Sequence, residues 1–342
     1  MALTKISGDN ALSNPRRRNL IINGDMRINQ RGFANDVDNA YTVDRFVYQS
    51  SAGDKFTITQ DTDTPSGEGF INSLKFVVAS AVTVGASDYF MISQPIEGFN
   101  TSFLRLGTSS AKTFTLSFYV RSSLTGTFGG GLGNAAGNRG YPFTYTISSA
   151  DTWEHKRVTV PGDTTGTWVT GNTHGLLVRF GLGVGSNKSG TAGAWTGSEI
   201  FSATGATSVV GTGSATWYIT GVQLEEGSTS SDFEHTNIGN ELLLCQRYYH
   251  EGIYAFMTSS ATTCIFNIDF PTTMRATPTT THEYAEGGTA NDIYNIATAA
   301  TPTFVPNGSF VDVNSYKFAY DFDAGLTADD GYQSYFHFDS EL

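Results

Sequence analysis

The stretch Phe114–Arg121, FTLSFYVR, decides the fold class because apolar and polar residues alternate strictly along it. Its apolar members, Phe114, Leu116, Phe118 and Val120, fall on one face of an extended strand, and the residues between them fall on the other. A helix would instead need apolar residues three and four positions apart. The stretch therefore predicts a half-buried β-strand.

The same alternation recurs further along the chain, where Leu176, Val178, Phe180 and Leu182 share a face and Arg179 points the opposite way. Strands with one apolar face and one solvated face are typical of antiparallel sandwiches rather than buried parallel sheets. We expect turn material between the strands, including the glycine-rich residues 129–140, and no helix-length period intervenes to build βαβ units.

Two runs about 200 residues apart are predicted to be the first and last strands of one domain. The first is NLIINGDMRINQRG, residues 19–32, and the second begins with WYITGVQLEEG at residue 217. The alternation of the second run is interrupted at Gly221, which predicts a β-bulge there. After this run the apolar period changes to a helical one, so we expect a helix from about residue 238 to 248 with Asn237 as its N-cap.

Charge and composition limit the possible partners. The net charge of −12 argues against nucleic acid and anionic membranes, because both favour a basic surface. From Leu242 onward there are 3 Lys or Arg against 12 Asp or Glu, so the acidic residues are concentrated at the C-terminal end. No stretch resembles a signal peptide or a membrane span, which predicts a protein made in a cytoplasm.

The sequence contains no convincing catalytic or metal-binding motif. His282-Glu283 lacks the second histidine of HExxH, no GxSxG is present, and Cys245 and Cys264 form no CxxC or Cys/His pattern. Many carboxylates remain, so a pair suited to polysaccharide cleavage stays a weaker alternative. We therefore expect no catalytic residues, no metal and no cofactor.

Several blocks together resemble a family of bacteriophage tail-fibre and receptor-binding proteins. Those blocks are NGDMRINQRG (23–32), YTVDRF (41–46), TLSFYVRSSLTGTF (115–128), YTISSADTWEHKRVTVPGDTTGTW (145–168), YITGVQLEEGS (218–228) and ELLLCQRYY (241–249). The opening and closing runs also resemble those of jelly-roll carbohydrate-binding modules. In such modules an acidic residue after Asn-Gly-Asp-Phe helps to hold Ca²⁺, whereas Arg27 stands here and would repel the ion.

The resemblance implies an all-β protein with a jelly-roll β-sandwich, a short helix and a second, smaller β-sandwich domain. The expected organisation is an N-terminal virion-attachment arm (1–18), the jelly roll (19–235), the linking helix (236–249) and a C-terminal β-domain (250–342). The implied role is a structural and adhesive virion protein in the phage tail, made in the host cytoplasm. It would be a homotrimer whose partners are tail adaptor, tube or nozzle proteins and a host cell-surface glycan or protein.

Two groups of residues are candidates for these contacts. Arg16, Arg17 and Arg18 would pair with carboxylates of another virion protein, the alternative being a frayed terminus. Near the other end, carboxylates and aromatic rings that suit a sugar are expected to form the receptor site, the alternative being a solvated acidic surface. The members of this second group are Asp329, Asp330, Tyr332 and Tyr335.

Two other functions are compatible with the sequence. The chain could be a head-decorating fibre or capsid-stabilising protein without a receptor, in which case the arm contacts the capsid. It could also be a secreted carbohydrate-binding module or polysaccharide depolymerase. The four tryptophans fit a sugar platform less well than core packing, because Trp153 and Trp217 lie in predicted strands.

Overall fold

The computed structural model describes residues 17–32, 40–257, 263–283, 293–296, 298–299, 309–321 and 330–342. Strands dominate it, and the helices are short. The strands of the first part are β1 (Ala40–Tyr41), β2 (Val47–Ser50), β3 (Phe56–Asp61), β4 (Ser73–Val78), β5 (Tyr89–Glu97), β6 (Phe114–Ser122), β7 (Gly126–Gly133), β8 (Gly140–Ile147), β9 (Glu154–Val160), β10 (His174–Val184), β11 (Ser189–Gly190), β12 (Ser202–Ala203) and β13 (Thr216–Glu226).

Two antiparallel sheets form the first sandwich. One has six strands in the order β1-β2-β5-β10-β7-β8, and the other has five in the order β3-β4-β13-β6-β9. The four apolar side chains of β6 that the sequence placed on one face are all 0% exposed, as is Trp217 of β13. They pack in one core with the inward side chains of the six-stranded sheet. The all-β jelly-roll sandwich is therefore confirmed.

The outer face of the six-stranded sheet is not solvated as predicted. Arg179 is only 4% exposed, and the segment around Ile200 lies over it. The glycine-rich stretch explains this burial: residues 129–133 belong to β7 and Gly140 begins β8, so that only residues 134–139 form a turn. A Cβ at Gly131 would lie 2.5 Å from the carbonyl oxygen of Ile200. Glycine is needed here for close approach of a covering segment rather than for a turn.

The opening run 19–32 is not a strand, which corrects the prediction. Asn23 and Met26 have positive φ angles of 58° and 59°, in the left-handed region that is typical of turns rather than of regular strands. The Asn23 side chain holds this turn closed by donating to the Ile28 carbonyl at 2.8 Å and accepting from the Ile28 amide at 2.8 Å. Gly24 packs against β13, with the Val222 amide donating to its carbonyl at 2.9 Å. The run is thus an ordered loop that closes onto the last strand.

The local predictions for the end of this sandwich are confirmed. The β13–β6 register shifts between Thr220 and Gln223, and Gly221 has a φ of 61°, so the bulge is present. Helix α1 covers only Gly98–Thr101, whereas the predicted helix is α2, Ile238–Gln246. The Asn237 side chain caps α2 by accepting from the Gly239 amide at 3.0 Å.

A second, smaller sandwich follows α2. Its strands are β14 (Tyr249–Met257), β15 (Thr263–Asp269), β16 (Thr279–Glu283), β17 (Tyr294–Asn295), β18 (Ser309–Val311), β19 (Ser315–Asp321) and β20 (Gly331–Asp339). One sheet has the order β14-β20-β16, with β17 also pairing to β20, and the other has the order β15-β19-β18. Aromatic and aliphatic side chains of both sheets form its core, including Phe336, Phe338, Ile268 and Tyr316.

Buried ion pairs join the two sandwiches. Arg45, whose side chain is 1% exposed, pairs with Glu341 and lies 3.5 Å above the Tyr248 ring. Glu97, also 1% exposed, accepts from Arg247 at 2.9 and 2.6 Å and from the Tyr248 hydroxyl at 2.8 Å. Because buried charges are tolerated only when they are paired, these contacts fix one sandwich against the other. No helix among the described residues is long and apolar enough to cross a membrane.

Candidate functional site

The outer face of the C-terminal four-stranded sheet carries most of the chemistry in this half of the chain. On the central strand β20 the even-numbered side chains are buried, and Tyr335, His337 and Asp339 point to the other face. The antiparallel register places Glu251 beside His337 on one side, and Glu283 beside Tyr335 on the other. Carboxylates, hydroxyls and rings therefore share one surface, which we call the β20 face.

His337 is the centre of the β20 face. Its Nδ1 lies 2.7 Å from the Tyr249 hydroxyl and 3.3 Å from Glu251, and its Nε2 lies 3.3 Å from Glu283. The Tyr249 hydroxyl also donates to Glu251 at 2.6 Å. One imidazole therefore bridges two carboxylates across the sheet.

The electrostatics of this cluster favour a charged histidine. Burial lowers the pKa of His337, but hydrogen bonds to Glu251 and Glu283 outweigh it, so that the pKa lies above its ordinary value. For Glu251, burial raises the pKa, and hydrogen bonds from His337, Tyr249 and Tyr335 bring it below the usual range. Glu251 is thus held as a carboxylate, a strong hydrogen-bond acceptor.

The β20 face is open and partly concave. A cavity of about 520 Å³ is lined by Thr281 and His337 and, at the next register position, by Tyr249, Thr279 and Asp339. At that position the guanidinium carbon of Arg31 lies 3.6 Å from the centre of the Tyr249 ring. The face can accept and donate hydrogen bonds along the direction of the strands.

The structure separates the four residues predicted to bind a receptor. Tyr335 lies on the β20 face, but Tyr332 is 0% exposed and stacks on Phe256 in the core, so its assignment to a surface is wrong. Tyr332 and Tyr335 are three positions apart on one strand, and such residues point to opposite faces. Asp330 precedes β20 and accepts from Asn295 at 3.1 Å, whereas Asp329 lies outside the described residues.

Two of the three arginines proposed for attachment, Arg17 and Arg18, lie within the described residues. Arg17 pairs with Glu241 at 2.9 Å, and Arg18 lies 3.6 Å from Glu225 and donates to the Asp232 carbonyl at 2.8 Å. Arg16 and the residues before it lie outside the described ranges. The guanidinium groups of Arg17 and Arg18 are therefore engaged by carboxylates of their own chain.

Sequence reasoning missed the centre of the β20 face. The alternation in GYQSYFHFD, residues 331–339, could have placed Tyr335, His337 and Asp339 together. Glu251 and Glu283 could not be added to that group, because only strand register brings residues so distant in sequence side by side.

Arg27 and the tryptophans have structural partners within the chain. Arg27 pairs with Asp25 and donates to the Thr236 carbonyl at 2.8 Å. Within the described ranges, no three His, Cys, Asp or Glu side chains are grouped so that they could hold a metal ion. Trp217 is in the core, as predicted, whereas Trp168 and Trp195 are half-buried and meet edge to face at 5.4 Å.

No protein-family model matches this sequence, and no curated protein does. Among solved structures, it is similar to the enzymatically active domain of tailspike protein 4 of bacteriophage CBA120, with 14% identity and a TM-score of 0.34 over 61% of this chain and 21% of that one. This chain thus spans about a fifth of the length of that tailspike chain.

Carbohydrate-binding modules are similar at the same level. The family 11 module of Clostridium thermocellum, solved with a mixed-linked tetrasaccharide, has 11% identity and a TM-score of 0.29 over 58% of this chain and 97% of its own. The module TmCBM61, solved with β-1,4-galactotriose, has 10% identity and a TM-score of 0.32 over 62% of this chain and 100% of its own. These likenesses assign neither a family nor an activity to this chain.

Proposed function

We propose that this chain is a structural and adhesive virion protein, a phage tail fibre, that binds a host-surface glycan through its β20 face. The virion role is supported by the resemblance of the sequence blocks between residues 23 and 249 to tail-fibre proteins. The place of binding is supported by the chemistry of the C-terminal sheet.

The observation that carries the glycan proposal is the cluster of Glu251, His337 and Glu283 beside Tyr335 and the threonines of β16. Sugar hydroxyls donate to carboxylates, and a sugar ring stacks on tyrosine. Because His337 already orients both glutamates, little side-chain entropy is lost when a sugar binds. The cluster is therefore preorganised for a hydroxyl-rich ligand.

The same cluster favours binding over hydrolysis. Glycoside hydrolysis requires one carboxylic acid that is protonated at working pH. Hydrogen bonds from His337, Tyr249 and Tyr335 overcome the effect of burial and lower the pKa of Glu251, which disfavours that protonated form. We propose that the protein turns over no polysaccharide, and release of reducing ends from host polysaccharide by the purified chain would contradict this.

The number of copies on a particle decides how strongly such a site holds a cell. A shallow surface site binds weakly, and several copies on one particle raise the avidity without new contacts. We propose a trimer, made in the host cytoplasm, that joins tail adaptor, tube or nozzle proteins through residues 1–16. Arg17 and Arg18 contribute less than the sequence alone suggested, because Glu241 and Glu225 neutralise them within the chain.

The proposal is tested by binding of the purified full chain to host cells and to their extracted surface polysaccharide. Glu251→Gln, Glu283→Gln and Tyr335→Ala are each expected to reduce binding at least tenfold. Glu226→Gln and Tyr89→Ala are matched controls in the first sandwich, where the exposed Glu226 pairs with half-buried Lys112 and Tyr89 packs on Phe201. Unchanged binding by all three β20-face variants, with the fold intact by circular dichroism, would refute the site.

A further inference from the structure

A second cavity, remote from the β20 face, opens in the first sandwich. Its volume is about 340 Å³, and its walls come from residues 101–110, which follow β5, and from residues 168–170. Trp168 supplies an aromatic wall and Arg105 supplies a positive charge. The remaining polar groups are hydroxyls, from Thr101, Ser102, Thr108, Ser110 and Thr170.

The charge of this cavity is opposite to that of the protein. The chain has 32 Asp and Glu residues, yet none of those that the structure describes lines the cavity, and Arg105 is the only charged residue among its described lining. No carboxylate among the described residues forms an ion pair with Arg105. The nearby Asp163 is 2% exposed and is bound by Arg139 at 2.6 and 2.8 Å. The guanidinium of Arg105 is therefore available to an external anion.

The aromatic wall is held in place. The Trp168 indole donates to the Thr165 carbonyl at 3.1 Å, and its ring meets Trp195 edge to face. A Cβ on Gly107 would lie 3.0 Å from Trp168, so the glycine lets the facing loop close onto the ring. The cavity wall is thus rigid before any ligand arrives, which reduces the entropy lost on binding.

The backbone that presents Arg105 is also fixed, in a conformation that costs energy. Arg105 has a φ of 54°, in the left-handed region that residues other than glycine and asparagine rarely adopt. The Thr108 hydroxyl donates to the Arg105 carbonyl at 2.8 Å and stabilises this turn. This conformation ends the 3₁₀ turn Ser102–Leu104, and the Arg105 amide donates to the Ser102 carbonyl at 3.1 Å.

We propose that this cavity binds a sugar unit that carries a carboxylate, such as a hexuronic acid within an acidic polysaccharide. The Trp168 ring would stack on the sugar, the hydroxyl side chains would bond its hydroxyls, and Arg105 would pair with the carboxylate. The cavity has the volume of about eleven water molecules, which is enough room for one sugar ring. The inference is independent of the β20 face and of the virion role.

Matched acidic and neutral sugars provide the test. Binding of D-galacturonate and D-glucuronate to the full chain is measured by saturation-transfer NMR and tryptophan fluorescence, with D-galactose and D-glucose as partners that lack the carboxylate. The acidic sugars are expected to bind at least tenfold more tightly than the neutral ones. Their affinity is expected to fall as the salt concentration rises. Arg105→Gln is expected to abolish the preference for acidic sugars, and Arg105→Lys is expected to retain part of that preference. Trp168→Ala is expected to reduce binding of the acidic sugars at least tenfold.

Control variants determine whether uronate binding occurs in this cavity. Arg157→Gln removes another exposed arginine, on β9, and Tyr335→Ala alters the β20 face; neither is expected to change uronate binding. Trp168→Phe keeps a ring in the wall and is expected to retain binding if loss in Trp168→Ala is due to stacking rather than misfolding. Absence of uronate binding, equal binding of the neutral sugars, or binding that Arg105→Gln leaves unchanged would overturn the inference.

Discussion

Glu341→Gln removes the charge that neutralises Arg45 at the junction of the two sandwiches. The side chains of Arg45 and Glu341 are 1% and 5% exposed, so solvent does not screen the pair. Loss of one partner of a buried ion pair costs about 3–5 kcal/mol, because the other charge is left buried. Glutamine keeps the shape and one acceptor, so we expect a loss near the lower limit, about 3 kcal/mol.

The positions of the tryptophans provide the assay. All four precede residue 218, so their fluorescence reports the first sandwich, whereas circular dichroism reports both. In Glu341→Gln the urea transition seen by circular dichroism should begin before the fluorescence transition, as the second sandwich detaches first. With a urea slope of about 1–3 kcal/mol per M, the early phase should shift by roughly 1–3 M.

The control for this experiment is Glu226→Gln, which removes an exposed carboxylate that pairs with half-buried Lys112 at the surface. Exposed pairs contribute at most about 1 kcal/mol, so its two transitions should stay where they are in the natural protein. If Glu341→Gln shifts neither transition by more than about 0.3 M, the two sandwiches are not coupled through Arg45.

Three further changes have expected outcomes. Gly24→Ala places a Cβ 2.1 Å from the Val222 carbonyl oxygen and should destabilise the first sandwich by about 1–3 kcal/mol in urea unfolding. Gly213→Ala, with open space around the new Cβ, should leave the free energy of unfolding unchanged, and equal effects of the two changes would contradict the close approach at Gly24. The pKa of His337 is raised on folding, so the stabilisation by its charged form is fully present below about pH 6.5 and is lost as pH rises through the folded-state pKa. The melting temperature of the natural protein should therefore fall between about pH 6 and 8.5 by more than that of His337→Gln. Parallel pH profiles of the two proteins would contradict this. Asn237→Ala removes the cap of α2 and should cost about 1 kcal/mol in the same unfolding assay, while an unchanged midpoint would show that the cap is dispensable.

Local patterns predicted the elements whose form depends on nearby residues. The alternation in Phe114–Arg121, the interruption at Gly221 and the cap at Asn237 all correspond to features of the structure. Each is decided within a few residues, by side-chain alternation, by a backbone angle or by one hydrogen bond.

Two incorrect predictions, for residues 19–32 and 129–140, share a non-local cause. The run 19–32 alternates like a strand, but Gly24 packs as a loop against β13, some 200 residues away, and accepts from the Val222 amide. Gly131 looks like turn material, but it is needed because Ile200 crosses above it. A glycine in a sequence indicates that a side chain would not fit at that position, but it does not indicate which neighbouring segment occupies the space.

The candidate site shows the same limit. Strand parity alone was enough to separate Tyr332 from Tyr335, so that part of the site was predictable. The bridge from Glu251 through His337 to Glu283 depends on the order β14-β20-β16, in which strands distant in sequence become neighbours. No local sequence pattern predicts which of these strands become neighbours in the sheet.

The central place of β13 in its sheet has a consequence for synthesis. Before residues 216–226 emerge from the ribosome, β3–β4 and β6–β9 are two separate pairs, each with an unpaired edge where β13 will insert. At about 5–20 residues per second, the interval between β3 and the end of β13, about 170 residues, lasts roughly 9–34 s. During that time the nascent chain exposes apolar strands such as Phe114–Ser122. Yield in a heterologous host should therefore depend on growth temperature and on chaperones that shield strands during translation.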